Sequence, residues 1–407
     1  MKDNAFHHRL RRLCAFIIGV VFLLAGIFKL LDPTGAGLVV EEYLRFLHLR
    51  FLMPAAKGIG VGMALLEALL GAAMISGVWR KPVAVLTSVM IVCFTVLTLF
   101  LAIFNPPMDC GCFGEALHLT NLQTFLKNVG LLILMLIAFL PYKDFGVNRQ
   151  RKYVSFFLVA ASLAAFTIYS LKTIPLVDYT AFTPGSELLA SKGPEDETGA
   201  GKPKVIYEKN GQEGVFDLDK LPDSTWTFVR TEDITVNGPE IDDNVPILSF
   251  YDSLDVYCDE KAAEGNVMAV SVYDTDKMKG DGWTRISDLL EGASAAGFTP
   301  LLLASTTKED FDSLEVIVPE VREKLLESLY FADYKTLITL NRSNGGATWF
   351  SDGQLIEKYP SSKLPSGEKM LQMTGDDPTE SMLRTSTKSR LRFQGFILYV
   401  FAILLLL

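Results

Sequence analysis

The sequence predicts a membrane all-α four-helix bundle with additional transmembrane helices, joined to an α/β domain outside the lipid. Three observations predict it. First, the 407-residue chain is 49% apolar, with a mean hydropathy of +0.28. Second, the charge is split. Residues 1–173 hold 16 Lys+Arg against 8 Asp+Glu, a net of +8, and the remainder holds 22 against 39, a net of −17. Third, five apolar stretches reach the roughly 20 residues that crossing a bilayer requires. An ordinary soluble enzyme and a disordered chain are both excluded. An acidic water-exposed half also excludes nucleic acid as a partner, because phosphate binding needs a basic footprint.

The five stretches lie near 13–31, 59–79, 83–104, 122–141 and 153–173. A sixth, near 391–407, is shorter. The first follows Arg9, Arg11 and Arg12 as a signal peptide would, but its apolar run is long and lacks a small-residue cleavage site. It reads as an uncleaved helix. Lys and Arg in the short loops set orientation. Ten of them fall in the N-terminal tail, the 80–81 turn and the 142–152 loop, against three in the 32–57 and 105–121 loops. That places the N-terminus in the cytoplasm, with the 105–121 loop and residues 174–390 outside. The expected location is a membrane, with residues 174–390 on its extracytoplasmic side and the lipid bilayer as a partner.

Beyond the fifth helix, residues 186–205 are rich in Gly, Ser, Pro and charge and read as a linker. Strands are expected at 205–207, 226–229, 267–272, 301–304, 336–340, 347–350 and 355–359. Helices are expected at 286–296 and 311–329, and 351–353 reads as a hairpin turn. This β-α-β-α-β-β order is the thioredoxin-like order. The expected division is a four-helix membrane domain at 1–145 and a fifth helix at 146–175. A connecting segment at 176–243, an α/β thioredoxin-like domain at 244–362, a polar tether at 363–390 and a final helix at 391–407 complete it.

Cysteine is scarce, with five in the chain, and two are separated by a single residue in Cys110-Gly111-Cys112. Prolines 106 and 107 and Gly114 make the surrounding loop tight. A disulfide between residues i and i+2 departs from relaxed geometry and is therefore easier to reduce. One reading is a redox-active pair that exchanges disulfides. A second is a static disulfide pinning the loop. A third is a metal site with His118, which lacks a visible fourth ligand. Cys14 and Cys93 fall within apolar helices and read as ordinary apolar side chains. Cys258 reads as a semi-buried spare thiol.

Glu67 stands in the middle of the apolar segment 63–71. A carboxylate there costs about 3 kcal/mol on insertion scales, so it faces the bundle interior and does something. It is suited to hold a quinone carbonyl, move a proton or pair with a cation. Lys29 and Asn128 are the further candidates for that site. For the lysine the plain alternative is snorkelling to the interface, and for Glu67 a buried clasp between helices. Gly58, Gly60 and Gly62 mimic part of a nucleotide loop, but no strand precedes them, so they read as helix packing. No Ser/His/Asp set, HExxH motif or P-loop is present.

Residues 26–33 (GIFKLLDP), Glu67 with Gly71, the 109–114 segment DCGCFG, and Lys127-Asn128 together resemble the DoxX/MauE-like membrane proteins. The resemblance covers about residues 10–145. It implies a four-helix bundle, a link to maturation of a disulfide-rich client, and a quinone as cofactor. The remainder resembles the long forms of this group, in which an outer thioredoxin-like domain follows a fifth helix. Here the domain is degenerate. Residues 273–276 (YDTD) stand where Cys-x-x-Cys is expected, and 344–346 (NGG) where a cis-proline loop is expected. The expected function is a thiol–disulfide redox or maturation component of the envelope, with Cys110 and Cys112 as the catalytic pair and Glu67, Lys29 and Asn128 at a quinone. A periplasmic client would be its partner. The alternative is a non-enzymatic assembly subunit of an envelope complex, with a static disulfide and a docking domain.

Overall fold

In the computed structural model, the described residues are 2–104, 119–140, 152–188, 204–209, 212–217, 227–232 and 246–407. Cys110, Cys112 and His118 lie outside them.

Six helices among the described residues are long and apolar enough to cross a membrane. They are α1 (Lys2–Leu31), α3 (Ala56–Ser76), α4 (Arg80–Phe104), α5 (Asn121–Phe139), α6 (Tyr153–Lys172) and α12 (Pro378–Leu406). A shorter helix, α2 (Pro33–Phe46), lies in the first connection. That connection had been expected to be a plain loop. Its start is written in the sequence: Asp32 caps the helix by accepting from the Gly35 amide at 2.9 Å, and Pro33 takes the first position. A capping box of Thr120 and Gln123 starts α5.

The tightest helix pair is α1 with α3. A Cβ at Gly26 would stand 2.5 Å from the Ala64 carbonyl oxygen, and one at Gly71 would strike the Leu23 backbone. Small residues on both sides let the backbones touch, which is how helices associate where lipid is as apolar as their own side chains. Ile18, Leu23, Ile27 and Leu30 fill the space against Ala64, Ala68 and Ala72, with Leu131, Met135, Val159 and Leu163 closing it. Phe166 of α6 stacks on Phe396 and Tyr399 of α12, and Ser162 donates to the Tyr399 hydroxyl at 3.1 Å.

Three strands, β1 (Lys204–Lys209), β2 (Gln212–Asp217) and β3 (Thr227–Glu232), form an antiparallel sheet in the order β2-β1-β3. The larger sheet contains β4 (Asn266–Val272), β5 (Thr299–Ala304), β6 (Leu329–Phe331), β7 (Gly346–Ser351) and β8 (Gln354–Tyr359). Its order is β6-β5-β4-β7-β8; β4, β5 and β6 run parallel, and β7 and β8 antiparallel to their neighbours. Helices α7 (Gly280–Ala295), α8 (Lys308–Asp312), α9 (Pro319–Leu326), α10 (Tyr334–Leu340) and α11 (Gly367–Gly375) complete this mixed domain. Side chains alternate across the central strand. Met268, Val270 and Val272 join Trp283, Ile286 and Leu290 on one face. Val267 and Ala269 join Phe250, Leu337 and Leu340 on the other. Buried on both faces, β4 reads as a continuous apolar run.

Several expectations change. Residues 336–340, expected as a strand for their β-branched content, form α10. Asp333 caps it by accepting from the Lys335 and Thr336 amides at 2.8 and 3.2 Å, and burial of Leu337, Ile338 and Leu340 overrides local propensity. The 311–329 helix is instead broken into the ends of α8 and α9 with Pro319 restarting it, and Leu329 enters β6. Residues 363–390, expected as a tether, are largely helical in α11 and the first half of α12. The strands at 267–272, 301–304, 347–350 and 355–359 lie where the pattern put them. The hairpin turn uses Asp352 and Gly353, both at positive φ (47° and 77°).

Candidate functional site

Two polar constellations interrupt the apolar interior. The first lies inside the helices. Glu67 is 3% exposed, and the Lys29 ammonium stands 2.8 Å from both of its carboxylate oxygens. The pairing follows from the close α1–α3 approach: one helix carries the cation, the other the anion. Lys29 also lies over the Phe94 ring of α4, 5.8 Å from its centre. Asn128 of α5 donates to the Phe94 carbonyl at 3.3 Å and to the Thr98 hydroxyl at 3.1 Å. Thus Lys29 and Glu67 meet directly, and Asn128 reaches them through Phe94. Lys29 is an ion-pair partner rather than a snorkelling side chain. Phe94 and Thr98 were not anticipated, because their relevance depends on which face of α4 turns inward.

The second constellation joins the sheet domain to the helices. Asp32 divides its carboxylate. One oxygen caps α2, and the other pairs with the buried Arg342 guanidinium at 3.0 Å. Thr34 donates to the Arg342 carbonyl at 3.3 Å, and Lys57 donates to Thr34 at 3.1 Å. Asp178, just after α6, pairs with Lys358 of β8 at 2.5 Å. Burial pulls Lys358 below the ordinary lysine range, and the Asp178 charge opposes that pull. Ser362 donates to the Lys172 carbonyl at 3.1 Å. The sheet domain is therefore seated on the ends of α1, α2 and α6 by buried polar contacts.

That seated edge includes residues 273–276. Asn344 closes it. Its side-chain oxygen accepts from the Tyr273 and Asp274 amides at 2.9 and 3.1 Å, and its amide donates to the Asp274 carbonyl at 2.7 Å. Gly345, at φ +73°, then donates to the Ser271 carbonyl at 2.8 Å. The loop after β4 and the loop before β7 are stitched together by one asparagine, with no thiol in either. Burial pushes Tyr273 well above the usual tyrosine range and, with Glu41 adding, raises Tyr334 to about 12. Both phenols stay neutral.

Cys258 is buried against Phe250 and Ala262, its thiol directed at the Val256 carbonyl at 3.4 Å. Burial raises its pKa, so little thiolate forms. Cys14 is buried and Cys93 exposed on α4. Among the described residues no three His, Cys, Asp or Glu side chains converge in a way that would hold a metal.

Residues 8–141 match the family model described as methylamine utilisation protein MauE. That stretch spans α1 to α5, and with them Lys29, Glu67, Asn128 and the Cys110-Gly111-Cys112 segment. Residues 202–237, which include the three-stranded sheet, match a domain of unknown function, DUF8463. No curated protein and no solved structure matches the chain.

Proposed function

We propose, on the premise that the helical region is MauE-like, that the protein is a thiol–disulfide redox component of the bacterial inner membrane. The observation that carries this is the ion pair of Lys29 with Glu67, buried within the matched helices. Two charges removed from water cost several kcal/mol each, and their attraction only partly returns it. Hydrophobic residues would hold the helices together as well, so the pair has work to do. Cys110 and Cys112 would close to a disulfide, and a quinone, when bound, would accept the two electrons and two protons released. Lys29 would be the donor for a quinone carbonyl, Glu67 would take up and return the proton, and Asn128, whose amide is held by Phe94 and Thr98, would offer its side-chain oxygen to the ring.

The N-terminus lies in the cytoplasm by the distribution of Lys and Arg, and the sheet domain in the periplasm. The succession β4–α7–β5–α10–β7–β8, with β6 added at one edge, supports a thioredoxin-like reading of that domain. Its stitched, thiol-free edge makes it a docking module for a client rather than a second redox centre. The same edge favours a second reading, an assembly subunit whose Cys110–Cys112 bond is static.

Thiol trapping in native membranes separates the two. With Cys112→Ser, the redox reading expects mixed disulfides on Cys110 with client proteins. If the pair in the unaltered chain stays oxidised under every growth condition, and replacing both cysteines leaves client disulfides intact, the redox reading fails.

A further inference from the structure

A cavity of about 1080 Å³ lies where the sheet domain sits on the helices, and nothing in the redox reading uses it. Its walls differ in chemistry. Along one side runs the last part of α6, from Ala165 through Ile168 and Tyr169 to Lys172, together with Leu38 of α2, and Met53 and Pro54 ahead of α3. Ile168 is 57% exposed, so this face is open to whatever surrounds the helices. α6 is long and apolar enough to cross a membrane, which makes lipid the surrounding this face suits.

The other side is cationic. Lys57, Lys172, Lys277, Lys279, Arg285 and Lys363 line it. Three carboxylates share the space, and each is already engaged: Asp274 with Lys277 at 2.6 Å, Asp281 with Arg285 at 3.7 Å, Glu41 with Arg45 at 3.3 Å. Lys172, Lys279 and Lys363 have no carboxylate partner among the described residues, and Lys57 feels only the Asp32 carboxylate, which Arg342 already holds. Lys57 comes from a helix and Lys277 from the sheet domain, yet they stand close enough for their like charges to oppose each other. Lys277, Lys279, Arg285 and Lys363 come from the part of the chain whose net charge is −17, and Lys57 and Lys172 from the part whose net charge is +8. The fold gathers both sets against one apolar wall.

We propose that this cavity seats an anionic phospholipid, with its phosphate among Lys57, Lys172, Lys279 and Lys363 and an acyl chain along the Ala165–Ile168 face of α6. Snorkelling accounts for Lys57 and Lys172, which stand at helix ends, but not for Lys279 and Lys363, which the sheet domain brings down to the same level. The lipid bridges the two parts of the molecule and neutralises charge that the protein leaves unpaired. This site is independent of the cysteine pair.

The test is native mass spectrometry of the full chain released from nanodiscs of equimolar phosphatidylglycerol and phosphatidylcholine. Retained phosphatidylglycerol should exceed phosphatidylcholine by about tenfold, because lysines near a bilayer surface favour anionic lipid. Lys172→Gln with Lys363→Gln should abolish that preference. Ile168→Trp, which fills the apolar wall and keeps every charge, should lower retention of both lipids. Removing two charges remote from the cavity, Lys308→Gln with Lys324→Gln, should change nothing. Equal retention of the two lipids, indifference to the cavity variants, or displacement of the bound lipid by millimolar inorganic phosphate would each overturn the proposal. The last result would assign the lysines to a small free anion.

Discussion

At the scale of single residues, the buried ion pair makes the sharpest demand. Removing one partner strands the other charge, which costs about 3–5 kcal/mol, whereas replacing both with apolar side chains of similar volume is near neutral. Lys29→Ala should therefore lower the thermal midpoint of the full chain in detergent markedly, and Lys29→Met with Glu67→Leu should restore most of it. The double variant should still fail to pass electrons from the cysteine pair to quinone. A stable double variant that retains full electron transfer would reduce the pair to a clasp. Cys258 makes an opposite demand: with its thiol buried and its pKa raised, it should react with maleimide far more slowly in the folded chain than in denaturant. Equal rates would mean that the pocket around it opens freely. The neutral phenols give a pH dependence. Tyr273 and Tyr334 lose their protons at higher pH when folded than when unfolded, so above about pH 10 the unfolded state binds fewer protons and stability falls as pH rises. Tyr273→Phe should flatten that fall, read from midpoints at pH 9 and 11. The sequence showed Lys29 and Glu67 as isolated oddities 38 positions apart; only the glycine-mediated contact between helices makes them one feature.

At the scale of elements, legibility followed the strength of the pattern. Long apolar runs fixed α3, α4, α5, α6 and the end of α1 to within about three residues, because the bilayer imposes length and leaves no alternative to a helix; α1 itself begins eleven residues before its apolar run, at Lys2. The buried central strands were equally plain. Short elements were not. Residues 336–340 carry strand-like composition, and only the Asp333 cap pointed to a helix. The first half of α12 is too polar to declare itself as the lead-in to a span, although Asp377 and Pro378 mark its start. Among the contacts between elements, the α1–α3 approach has the least slack. Gly71→Leu should push the two backbones apart, weaken the Lys29–Glu67 pair and lower the thermal midpoint. Gly62→Ala, on the same helix but with open space around it, should not lower that midpoint. Equal effects from the two would mean that α1 and α3 are not in backbone contact.

At the scale of the whole molecule, the charge split in the sequence corresponds to two bodies, one helical and one built on a mixed sheet, and to the way they are joined. Asp32 is the hinge of that arrangement, because one carboxylate both starts α2 and holds Arg342. Asp32→Asn keeps an excellent cap and gives up the ion pair. Hydrogen exchange should then rise at Arg342 and along α10 while the first turn of α2 stays protected; protection lost at both places, or at neither, would refute the division of labour. None of this contact was visible in the sequence, since residues 32 and 342 are brought together only by the fold. The redox account rests on use of the cysteine pair. That claim is central, and one measurement tests it most directly: the reduction potential of Cys110–Cys112 in the full chain, equilibrated in nanodiscs against glutathione buffers and read by alkylation mass shift. A pair that trades electrons should be half reduced near the exchange-active range, at about −120 to −230 mV. A pair that stays fully oxidised below about −300 mV would be a structural bond and would contradict the account.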